Sequence, residues 1–108
     1  MTFQNQIRLV GTAIVFGAAL AVPAAAADAD AGKALALQWC SSCHLVSNDQ
    51  TTASSTSLPS FYDMAKDSGW TEDTLKVFLA NPHPKMPNMT LSNNDISDLS
   101  RYILTLAN

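Results

Sequence analysis

Cys40 and Cys43 are the two cysteines of the chain, and His44 follows the second directly. In a helix of 3.6 residues per turn, positions i and i+3 lie about 60° apart, so both thiols face one side of one turn. C-x-x-C-H is the attachment sequence of c-type haem. Two thiols at this spacing reach two vinyl groups of one porphyrin, and the next residue offers an imidazole nitrogen to the iron from the same side. Other uses of the pair ask for features the chain lacks. A dithiol redox pair of the thioredoxin type wants a βαβ context. A structural zinc site wants four ligands; His83 could supply one more, but there is no second cysteine pair. A Cys40–Cys43 disulfide is open to an exported protein, but it closes a loop too short to stabilise much.

The N-terminus points to export. Arg8 is the single charged residue among the first 27, and residues 9–22 are almost wholly apolar and small. Pro23 and four alanines follow. This order is that of a secretory signal peptide, and its apolar run is shorter than the ~20 residues a membrane span needs. The expected organisation is a leader over residues 1–27, cleaved after Ala27 (with Ala26 as the near alternative), and one domain over residues 28–108. A retained membrane anchor is the competing reading.

The 108 residues carry six basic and nine acidic side chains, net −3. Loss of Arg8 with the leader leaves five basic against nine acidic, net −4. With no basic cluster, nucleic acid is not an expected partner. A negative surface favours a positively charged docking face, and it also serves solubility. A domain this small has a thin core, so a covalently held hydrophobe at its centre would supply what the chain cannot.

Four helices are expected to position the motif, and no segment reads as a strand. The first spans roughly 30–42, capped by Asp28 or Asp30. A polar Ser/Thr-rich loop follows. Ser60 opens a short second helix with Asp63 at N3, in the manner of a capping box, and Gly69 ends it. The third starts at Thr71, with Trp70 and Leu75 as a hydrophobic staple and Leu75, Phe78 and Leu79 as its buried stripe. Asn81 and Pro82 stop it. The fourth is capped by Ser92 with Asp95 at N3, and buries Ile96, Leu99, Ile103 and Leu106. Trp39 and Trp70 are expected in the core or against the cofactor. The fold class is all-α.

With these residues in place, residues 28–108 resemble a small bacterial class I cytochrome c with one haem. Gly32 lies eight residues before Cys40, as the family's glycine does. The resemblance implies that it lets the first helix cross closely against an aromatic residue of the last, here Tyr102. "MPN" at Met86–Asn88 resembles the distal loop whose methionine is the second axial ligand. "LPSF" resembles the segment whose proline carbonyl, here Pro59, accepts a hydrogen bond from the proximal histidine. The chain departs from the family's pattern at Leu45, where a glycine is common, and in a short loop after the motif.

The resemblance implies haem c on Cys40 and Cys43, with His44 and Met86 as iron ligands. Among other candidates for the distal position, Met89 reads as packing or surface, Met64 as core, and His83 shares the Met86 loop. The expected function is that of a periplasmic, monomeric, non-enzymatic electron carrier serving redox partner proteins. A haem-based gas sensor and an electron-accepting subunit of a periplasmic dehydrogenase are the alternatives.

Overall fold

The computed structural model describes residues 10–17, 26–52, 54–81 and 86–108. Most of the leader, and His83 with its neighbouring prolines, lie outside the described residues. Among the described residues four helices follow in order: α1 (Ala29–Trp39), α2 (Phe61–Lys66), α3 (Glu72–Ala80) and α4 (Asn93–Thr105). Among the described residues there is no strand, and the all-α class holds. No helix among them is long and apolar enough to cross a membrane.

The helix starts follow the chemistry of their caps. Asp28 accepts from the Asp30 and Ala31 N–H groups, which makes it the cap of α1. At α4 the box is complete: Ser92 accepts from Asp95 N–H at 3.0 Å and Asp95 accepts from Ser92 N–H at 2.9 Å. Thr71 and Thr74 form a second full box at α3, where a threonine takes the part usually given to Glu or Gln. At α2 only the Ser60 half of the expected box forms, with Asp63 N–H donating to Ser60 Oγ at 3.0 Å.

Two helix ends differ from expectation. α1 stops at Trp39 rather than near residue 42, because its carbonyls find other partners. The Ala36 carbonyl accepts both the Cys40 and Ser41 N–H groups, and the Ser41 hydroxyl donates to Leu37 O at 2.6 Å. A serine side chain that bonds the previous turn competes with the helix ladder. α2 ends at Lys66 with Asp67 as its cap, not at Gly69. The Asp67 carboxylate accepts from Gly69 N–H at 2.8 Å, an Asx-type turn that needs no left-handed glycine, and Gly69 has no positive φ.

α4 is the spine. α1 packs along it, and α3 and α2 also rest on it. Ile96, Leu99 and Ile103 of its expected stripe are buried, and Leu106 is partly so. They meet Ala36 and Cys40 from α1 and its end, Leu75 and Leu79 from α3, and Phe61 and Ala65 from α2. The α1–α4 crossing is close enough that a Cβ on Gly32 would lie 2.1 Å from the Asp98 carbonyl oxygen and 2.8 Å from Tyr102 Cβ. Only glycine fits there. The Trp70 and Phe78 rings pack edge to face at 5.3 Å, while Trp39, 45% exposed, lies outside the core but lines the same cavity as Trp70.

Tyr102 has a second function beside packing against Gly32. Its buried hydroxyl donates to Val46 O at 2.6 Å, tying α4 to the loop after the cysteine motif. Tyr102→Phe leaves that carbonyl without its donor, which costs about 1–3 kcal/mol for a buried group. Chemical denaturation of the Tyr102→Phe protein is expected to show a lowered midpoint with an unchanged slope.

Candidate functional site

The motif occupies a turn beyond the end of α1. Cys40 is the helix cap. Its carbonyl accepts from Cys43 N–H at 3.1 Å and from His44 N–H at 2.8 Å. These i+3 and i+4 bonds keep one further helical turn, so the spacing of the two thiols survives although α1 itself ends earlier. The two are not joined to each other, and Cys40 is buried while Cys43 is exposed. Burial, reinforced by the nearby Cys43, pushes the Cys40 thiol up to about 11.

The backbone of the motif is held at almost every carbonyl. Cys43 O accepts from Ser55 N–H, Leu45 O from Phe61 N–H, and Val46 O from the Tyr102 hydroxyl. The Gln50 side chain bonds both Ser41 O and His44 O. The loop is thus bound to α2 and α4 although it carries no regular structure.

His44 is half-buried, and its ring lies 5.8 Å from that of Phe61, tilted by 42°. Its Nδ1 is 2.7 Å from the Pro59 carbonyl oxygen. A carbonyl can only accept, so Nδ1 carries a proton, and in the neutral ring Nε2 then keeps its lone pair. That is the tautomer a metal-ligating imidazole needs. Pro59 and His44 come from segments 15 residues apart, and the fold brings them together.

One cavity of about 460 Å³ gathers the candidate residues. Cys40, Cys43, His44, Pro59 and Met86 all line it. So do Met64 and Met89, which the sequence placed in the core and at the surface or packing. Met89 is buried and Met86 half-buried. Phe61, Leu79, Leu99 and Ile103 make apolar walls, and the acidic residues Asp63 of α2 and Asp67 at its cap also line the cavity. Thiols, an oriented imidazole and thioether sulfur around one apolar cavity are a donor set that fits haem.

Residues 27–103 match the family model described as cytochrome C oxidase, cbb3-type, subunit III. The chain belongs to the cytochrome c family. This cytochrome is also similar to Cytochrome c-552 of Bradyrhizobium diazoefficiens. The two are 41% identical over 101 residues, which cover 93% of this chain and 96% of the relative. No solved structure matches the chain. Membership makes it a small c-type cytochrome of electron transport, with haem c as its group and redox partners to serve.

The residue that sequence reasoning missed is Gln50. It sits in a Ser/Thr-rich loop with no periodicity, and its five hydrogen-bond partners become neighbours only when that loop closes on itself. No signal in the sequence singles it out.

Proposed function

We propose that the protein is an exported one-electron carrier in which Cys40 and Cys43 hold one haem by thioethers and His44 and Met86 are its axial ligands. The observation that carries this reading is the convergence of those four side chains, with Pro59 orienting His44, on one apolar cavity. Haem, when bound, supplies one-electron chemistry at its iron. The chain's own residues decide how that chemistry is used. His44, fixed through Nδ1–H on Pro59 O, presents Nε2. The Met86 sulfur would be the second side chain to hold the iron, and a His/Met pair would raise its potential. Were His44 and Met86 both to hold the iron, no place would be left there for a substrate or a gas, which favours a carrier over an enzyme or a sensor. The apolar walls exclude water from the centre of the domain.

Residues 1–27 are the export leader in this reading, and the carrier is the monomeric domain 28–108 in the periplasm. Its partners are proteins met briefly, through interfaces below about 1,200 Å². The net charge of −4 left by loss of the leader suits a basic docking face on those partners.

Met86 is favoured over Met89 because a proline follows it directly and another stands two residues before it, which restrict the backbone on both sides. Met89, more deeply buried, is held by packing as methionine often is. The two are separated by the weak sulfur-to-ferric-iron band at the near-infrared edge, read with the midpoint potential. Met86→Ala is expected to erase the band and lower the potential, while Met89→Ala keeps both near wild type. The reverse pattern moves the ligand to Met89, and a wild type without the band returns the sensor reading.

A further inference from the structure

We propose that Gln50 is a positioning residue for the proximal side, a side-chain clasp that holds the backbone around His44 so that the Nδ1–H bond to Pro59 O persists. The proposal rests on His44 being an iron ligand.

The geometry is specific. Gln50 Oε1 accepts from Val46 N–H at 2.8 Å and from Ser47 N–H at 3.2 Å. Its Nε2 faces three carbonyls: Thr52 O at 2.9 Å, His44 O at 3.3 Å and Ser41 O at 3.4 Å. The orientation of the amide is decided by these partners, since only oxygen can face N–H groups and only nitrogen can face carbonyls. One half-buried side chain thereby joins the turn between the cysteines, the histidine itself and the two residues that leave the motif. The clasp is braced from outside. Lys33 on α1 pairs with Asp49 at 3.0 Å, and Tyr102 on α4 donates to Val46 O. His44 is thus fixed twice, at the ring by Pro59 and at the backbone by Gln50. A ring held only at Nδ1 would still swing with its own main chain, and the Gln50 bonds remove that freedom.

Gln50→Met keeps length and volume but can neither donate to the carbonyls nor accept normally from the N–H groups. In the haem-loaded protein, hydrogen exchange of the His44 Nδ1 proton is compared with that of the Leu99 and Ile103 amides in the core of α4. The expected result is an Nδ1 proton accelerated about tenfold or more beyond those amides, the size expected for lost buried hydrogen bonds. A shifted midpoint potential should accompany it. Equal acceleration of all three sites, or none, overturns the proposal, because then Gln50 serves only general stability. Should Gln50→Met fail to fold, the wild type decides: Gln50 side-chain amide protons protected from exchange support the clasp, and unprotected ones overturn it. The ligand reading is tested apart, by the iron-induced displacement of the His44 ring resonances in the ferric wild type. Without that displacement both the ligand reading and the proposal fall, whereas displaced resonances with no selective exchange remove Gln50 alone.

Discussion

His44→Ala is expected to leave haem covalently attached to Cys40 and Cys43 while abolishing the low-spin spectrum and stable folding around the group. Two losses combine. The proposed proximal ligand disappears, and no other residue of that turn can replace it. The ring's hydrogen bond to Pro59 O and its contact with Phe61 also vanish, and these join the motif to the start of α2. Both fall on the same small core, because Phe61 packs with Leu99 and Ile103 of α4. The measurement is the visible spectrum with thermal unfolding of the purified variant. A normal low-spin spectrum would overturn the assignment of His44 and direct attention to His83.

Gly32→Ala is expected to be strongly destabilising without touching the cavity. A Cβ there would lie 2.1 Å from the Asp98 carbonyl oxygen and 2.5 Å from its carbon, both backbone atoms of α4. Backbone inside a helix cannot step aside as a flexible side chain can, so α1 and α4 must separate. Replacing glycine by alanine inside a helix normally gains ~1 kcal/mol, but overpacking of a tight core costs ~1–3 kcal/mol and occasionally more. With two backbone atoms inside van der Waals distance, the cost belongs at the upper end of that range or beyond. The net loss is expected to reach about 2 kcal/mol or more, a large share of the ~5–15 kcal/mol of a typical domain. The control is Gly69→Ala, whose Cβ would meet only the Asp67 carboxylate oxygen at 3.2 Å. Its φ is not positive, and its effect should stay small. Equal denaturation midpoints for the two variants would contradict the close crossing.

The sequence by itself determined the fold class and the chemistry. Four helices follow from the spacing of apolar residues and from caps such as Ser60, Thr71 and Ser92, because those signals act within a few residues of one another. Cys40, Cys43 and His44 stand out as candidates for the same reason: the spacing that haem demands is local. Pro59, Met86 and the Gly32–Tyr102 pair came from likeness to a family rather than from any local rule, since each acts on a partner distant in the chain. Only the structure decided where α1 ends, since Ser41 N–H turns to Ala36 O and its hydroxyl takes the Leu37 carbonyl that a longer helix would have used. It also brought Pro59 O to His44 Nδ1 and set Met89 beside Met86 on one cavity. Gln50 belongs wholly to this second group. A hydrogen bond formed by loop closure leaves no periodicity in the sequence, because what selects its partners is their distance in space after the helices have packed.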